Sequence, residues 1–236
     1  WPDRSARRWR TVPDMTLLQP RRLVLLFIGM VIMAFGIALS VRSDLGTTTI
    51  SSLPYVLSLI SPLTLGTASI IVNSGLVLLQ FLILRRRFQA IQLLQIPVLL
   101  AFGVFNDVAL WATEWIGYSA YWQQWLLVLA GIVLLGVGIC FQIAGQSIML
   151  AGEAAVLTIA TELSRKFGGR RLFAFGYVKI AFDVLLVSSA AVLAVSFLGE
   201  LSGVREGTAA AALLIGYTVK RLQPLLGPPL ARFRDS

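Results

Sequence analysis

Six stretches of the chain stay apolar for long enough to cross a bilayer: 23–41, 66–84, 91–113, 125–145, 172–198 and 207–223. About 18–20 consecutive apolar residues suffice for a helix that spans the hydrocarbon. None of these stretches alternates with the period of two that a membrane barrel strand requires, so each is read as a helix. Two further segments, 44–62 and 147–163, break the pattern. Both are short, both open on polar residues, and both are wedged between spans.

The two interruptions belong to a repeat. GMVIMAFGIAL (29–39) matches GIVLLGVGICF (131–141), which pairs Gly29 with Gly131 and Gly36 with Gly138. Further on, DLGTTTISSLPYVLS matches MLAGEAAVLTIATELS, so that Gly46 meets Gly152. VNSGLVLL (72–79) matches VKIAFDVL (178–185), which sets Asn73 against Lys179. LLAFGVFND (99–107) resembles LLIGYTVK (213–220) around Gly103 and Gly216. The ordered series, rather than any single match, predicts a duplication.

Loop charge decides how the repeats sit. If 44–62 and 147–163 crossed the membrane, Arg85, Arg86 and Arg87 would fall on the opposite side from the other basic clusters. If both segments enter and leave on one side, nearly every cation lies inside and only Arg42 and Arg205 lie outside, as the positive-inside rule requires. Each repeat then has an odd number of full spans, so the two have opposite orientation. The expected fold is an all-α polytopic membrane protein. It has two inverted repeats, each with three full transmembrane helices plus one broken or re-entrant segment. The expected organisation is a basic cytoplasmic segment 1–22, repeat 1 over 23–113, an external aromatic loop 114–124, repeat 2 over 125–223, and a basic cytoplasmic tail 224–236. Trp111, Trp115, Tyr118, Tyr121, Trp122 and Trp125 suit an outer interfacial belt.

Composition agrees. The chain is 57% hydrophobic and 13% charged, too little charge to cover a soluble surface. The net charge of +9 sits mainly at span ends, so it is topogenic and lipid-facing, and nucleic acid is not expected as a partner. With no His and one Cys, Cys140, neither an intramolecular disulfide nor a Cys/His metal cluster can form. No nucleotide loop, metalloprotease motif or Ser/His arrangement is present. No enzyme activity, metal or cofactor is expected.

The segment RSDLGTTTISSLP (42–54) carries the candidate chemistry. Irregular backbone at membrane depth survives only when packed in protein or lining water. Gly46 permits a tight turn, Thr and Ser satisfy local backbone, and Pro54 interrupts a helix. A broken helix beginning near Gly46 would offer free N–H groups to a solute. The candidate substrate-binding set is Gly46, Thr47, Thr48, Thr49, Ser51 and Ser52, with Gly152 and Glu153 from the paired segment and Asn73, Lys179 and Asp183 behind them. Lys179 and Asp183, spaced i, i+4, share one helix face. They form either a structural pair or a relay, and Glu153 is either a helix cap or a functional carboxylate. Arg42, Asp44, Asn106 and Asp107 are candidates for an entrance or gate, with a plain interfacial ion pair as the other reading of Arg42 and Asp44.

The pattern G-x6-G-I-A-L (29–39) followed by R-S-D-L-G-T (42–47), together with G-V-F-N-D (103–107), resembles YczE/YyaS/YitT-type bacterial integral membrane proteins. The resemblance extends over roughly 22–223, and the Thr run at 47–49 and the stretch 146–152 depart from it. It implies a multi-pass protein of the bacterial inner membrane. Loop charge places both termini in the cytoplasm. The function expected is a secondary transporter or facilitator of a small polar or charged solute, a zwitterion or organic anion being favoured. A passive channel and a non-transporting regulatory or scaffold protein are the alternatives. Expected partners are that solute, membrane lipid and, as a homodimer, a second copy of the chain.

Overall fold

The computed structural model describes residues 19–168 and 173–235. Most of the expected N-terminal segment, with Arg4, Arg7, Arg8 and Arg10, and the pair Arg170 and Arg171 lie outside the described residues. Every regular element among the described residues is helical: α1 (Pro20–Arg42), α2 (Thr49–Ile60), α3 (Leu65–Leu84), α4 (Gln95–Ala112), α5 (Tyr121–Gly145), α6 (Ala151–Phe167), α7 (Phe175–Leu198) and α8 (Glu206–Asp235). Two 3-10 turns, Arg85–Arg87 and Ala90–Leu94, join α3 to α4.

Together with those adjoining turns, α1, α3, α4, α5 and α7 are, among the described residues, the five helices long and apolar enough to cross a membrane. Their outward faces carry large exposed apolar side chains, among them Leu78, Leu82, Val104, Val133, Val184 and Leu185. A surface of this kind is suited to lipid and not to water. The chain is a membrane-embedded helical protein.

The sixth expected span, 207–223, belongs to the 30-residue helix α8, which is not among the five. The segment expected as a separate basic tail, 224–236, continues that helix to Asp235 through Pro224, Pro228 and Pro229. The aromatic loop is also shorter than expected, because α5 already starts at Tyr121.

α1 and α5 form the spine. A Cβ on Gly36 would stand 2.8 Å from the Gly131 carbonyl oxygen, and one on Gly131 would stand 2.7 Å from the Gly36 carbonyl oxygen. Gly29 and Gly138 meet in the same reciprocal way, at 2.8 and 2.7 Å. Small residues let two membrane helices approach backbone to backbone, where packing replaces the missing hydrophobic drive. The remaining helices build outward from the spine. α4 runs alongside α1, with Met30 near Val98 and Ala38 near Ala109.

The short helices pack across. α2 sets Val56 against Ala190 and Ala194 of α7, and α6 sets Ala151 and Ala155 among Leu76 and Val77 of α3. α2 has 12 residues and α6 has 17, about 18 and 26 Å of helix. Both fall short of the roughly 30 Å hydrocarbon core.

The two ends of the bundle differ in chemistry. One end gathers Trp115, Tyr118 and Tyr121. There Arg42 Nη2 donates to the Leu110 carbonyl at 2.7 Å, the Tyr118 hydroxyl donates to Asp44 Oδ2 at 2.6 Å, and Arg205 Nη1 donates to the Asp44 carbonyl at 3.2 Å. The other end is basic. Arg22 donates to the Gln146 carbonyl, Arg234 donates to the Ala144 carbonyl at 3.0 Å, and Arg87 pairs with Glu162 at 3.6 Å. The connection 43–64 starts and finishes at the aromatic end, since Arg42 is held at Leu110 and Thr64 donates to Asp107, one turn away on the same helix.

Candidate functional site

The stretch 43–48 leaves helical geometry for a reason visible in the sequence. Ser43 caps the end of α1 by donating its hydroxyl to the Ser40 carbonyl at 2.6 Å, and its oxygen accepts the Leu45 N–H at 3.2 Å. Gly46 then takes φ +102°, in the left-handed region that favours glycine. The Thr47 N–H donates to the Gly203 carbonyl at 3.3 Å, and the Gly207 N–H donates to the Leu45 carbonyl at 2.8 Å. The descending chain is thus held against the 199–208 connection.

α2 begins at Thr49, three residues later than expected. Thr48 is its N-cap: Oγ1 accepts the Ser51 N–H at 3.3 Å and donates to Ser51 Oγ at 3.0 Å. N-cap hydroxyls of this kind are worth about 1 kcal/mol. α6 starts after the apolar Leu150, with no side-chain cap, and places Glu153 in its first turn. Ser51 and Glu153 are each the third residue of their helix. The two helix starts approach closely, since a Cβ on Gly152 would lie 3.5 Å from Ile50 Cδ1.

These starts open onto a cavity of about 450 Å³ in the middle of the bundle. Thr48, Thr49 and Ser51 line it from α2, Gly152 and Glu153 from α6, Asn73 from α3, and Lys179 and Asp183 from α7. The rest of the wall is largely apolar, including Met33, Ile37, Phe102, Leu135, Ile139 and Ile215. A largely apolar pocket with a few convergent polar groups is the usual form of a small-molecule site. Lys179 Nζ donates to both Asp183 oxygens at 2.6 Å. Gln142 Nε2 donates to Glu153 Oε2 at 3.3 Å. Asn73 Nδ2 donates to the Ser69 carbonyl at 2.8 Å.

Several other candidates lie elsewhere. Gly46 and Thr47 do not line the cavity; they form the packed descent above it, where Gly46 abuts Thr208 and Arg205. Gly46 and Gly152 also differ in position, the first preceding its helix and the second lying inside one. Ser52 is fully buried and donates to the Thr49 carbonyl at 2.8 Å, so it serves its own helix.

Three of the four expected gate residues hold hydrogen bonds within the scaffold. Arg42 caps the end of α4, and Asp44 binds Tyr118. Asp107 accepts the Gly66 N–H and the Thr64 hydroxyl, both at 2.7 Å, at the start of α3. Asn106 is buried, and its Oδ1 has no hydrogen-bond partner among the described residues.

Sequence reasoning missed two polar lining residues, Ser69 and Gln95. Gln95 and Gln80 exchange amide hydrogen bonds at 3.2 and 3.3 Å, and Gln80 also donates to the Ala151 carbonyl at 3.3 Å. This amide pair anchors the start of α6. Its signal was present, because an amide inside an apolar run such as LLQFLIL must find a partner.

Residues 20–224 match the model of a protein family described as a family of unknown function, DUF6198, and the chain belongs to that family. No curated protein and no solved structure matches it.

Proposed function

We propose that the protein is a secondary transporter or facilitator of a small polar or charged solute, built from two inverted repeats with the solute site between them. The observation that carries this reading is the central cavity. It is bounded by the starts of two short helices and by polar side chains from both halves of the chain, Asn73 on one side and Lys179 with Asp183 on the other. Membrane proteins place broken helices at such depth where they line a substrate path.

The glycine contacts support the repeats. Gly29 is equivalent to Gly131, and Gly36 to Gly138, so exchanging the halves turns the Gly29–Gly138 contact into the Gly131–Gly36 contact. A two-fold relation in the membrane plane produces such reciprocity between antiparallel spans. The exchange of packing partners, α2 on α7 and α6 on α3, follows the same relation.

An asymmetry favours alternating access over a channel. At the aromatic end, Gly66 of α3 and Gly103 of α4 lie backbone to backbone: a Cβ on Gly103 would stand 2.9 Å from the Gly66 carbonyl oxygen. The repeat sets Gly103 against Gly216, while the position matching Gly66 lies outside the described residues. A Cβ on Gly216 would meet nothing within 4 Å. The cavity extends between α7 and α8 there, past Ile180 and Gly216. One clasp is shut and its counterpart is open.

The division of charge between the ends supports cytoplasmic termini, and the resemblance to the YczE/YyaS/YitT type supports the bacterial inner membrane. The test is solute flux in proteoliposomes containing the purified chain. Saturable flux that is lowered in Thr48→Val, with folding retained, is the expected result. An unsaturable conductance in planar bilayers, without saturable flux, would overturn the transporter reading.

A further inference from the structure

We infer that the solute carries an ammonium group and that the Glu153 carboxylate is its counter-ion. The inference rests on the reading of the central cavity as a solute site, and it follows from the charges on the cavity wall. Those charges are Glu153, Lys179 and Asp183. Lys179 is already clasped by both oxygens of Asp183 at 2.6 Å, one turn away on α7. That pair is neutral as a unit. Glu153 has no ion pair among the described residues, although the Lys179 charge reaches it across the cavity. Its carboxylate is met instead by the neutral amide of Gln142, which occupies Oε2.

An anionic group in a largely apolar wall is costly unless a positive charge joins it. The start of α6 and the Gln142 amide supply only partial compensation. A cationic solute restores the balance, whereas a solute carrying only a carboxylate adds a second anion beside the first. The other half supplies no matching charge: Ser51 holds in α2 the helix position that Glu153 holds in α6, and Asn73 is neutral. The ammonium therefore sits at the α6 side. Any carboxylate of the same solute faces the start of α2, where Thr48 and Thr49 line the wall.

Thermal unfolding of the full chain in nanodiscs tests this with three probes of similar size: butylammonium, 4-aminobutyrate and butyrate. Both amines are expected to raise the unfolding temperature, and butyrate is not. Glu153→Gln should weaken the amine response by roughly tenfold or more, as removal of a charge-assisted hydrogen bond does. Glu153→Asp should recover part of it. A response to butyrate, the absence of a response to both amines, or a response that survives in Glu153→Gln would overturn the inference. Proteoliposome flux separates it from the transport reading. Glu153-dependent amine binding without flux leaves the ammonium site standing and removes the transporter. Saturable flux of an anion that is indifferent to Glu153→Gln does the reverse.

Discussion

Gly29 lies so close to Gly138 that a Cβ on Gly29 would stand 2.8 Å from the Gly138 carbonyl oxygen, and a Cβ on Gly138 would also run into Met33, one turn along α1 from Gly29. Neither backbone can retreat without separating α1 from α5. Gly138→Val should therefore destabilise the protein by about 1–3 kcal/mol, the usual cost of overpacking. Gly75, where a Cβ would meet nothing within 4 Å, is the control, and Gly75→Ala should be close to neutral. Thermal unfolding in detergent measures both. Equal effects would mean that the spine contact carries no special packing energy.

The topology prediction concerns Arg86, which is exposed in the turn between α3 and α4. In a Cys140→Ser background, Arg86→Cys should react with a membrane-impermeant thiol reagent only after the cytoplasmic face is opened. Cys140 is buried in α5, so its replacement by the similarly small serine should leave the fold intact. Labelling from outside intact cells would reverse the proposed orientation.

The spine glycines stood out in the sequence because they recur at a seven-residue spacing with similar surroundings, but that they face one another across α1 and α5 was not read from it. The polar side chains of the cavity were legible for a related reason. Thr48, Ser51, Asn73, Glu153, Lys179 and Asp183 are groups that a lipid-facing helix would not carry, so their presence inside apolar runs demands a wet or paired environment. The assignments that changed concern local satisfaction. Asp107 and Arg42 are charged and near span ends, which suits a gate and a helix cap equally. The positions of the Gly66 N–H and the Leu110 carbonyl, which the sequence does not give, are what show the caps. Gly46 likewise reads as a helix start from sequence. Its φ of +102° and its contact with Thr208 make it a turn that carries the chain down to that start.

The Lys179–Asp183 pair offers a double-mutant test. Removing one partner leaves its charge without its ion pair in a largely apolar cavity, so Lys179→Met or Asp183→Asn alone should cost roughly 1–3 kcal/mol. The double variant should cost less than either single one, because no unpaired charge remains on α7. Chemical or thermal unfolding reads stability, and solute flux is measured in parallel. Recovery of stability without recovery of flux would give the pair a part in handling solute. Recovery of both would make it a structural pair.

The last prediction sets Gly103 against Gly216. The proposed repeat makes them equivalent positions, yet Gly103 is pressed against Ile70 and Gly66, while Gly216 has open space. A bulky side chain at 103 has nowhere to go, so Gly103→Ile should lower stability and yield. At 216 the same change meets nothing in this conformation, and Gly216→Ile should fold with an almost unchanged unfolding temperature. If the open clasp must close during each cycle, as alternating access between inverted repeats demands, the added side chain then stands where α7 and α8 have to meet. Flux through Gly216→Ile should fall by an order of magnitude or more, with solute binding kept. A closing step that is absent, as in a rigid pore, predicts instead that Gly216→Ile conducts normally. Measuring unfolding temperature and flux on the same two variants therefore distinguishes a residue needed for the fold from one needed for the movement.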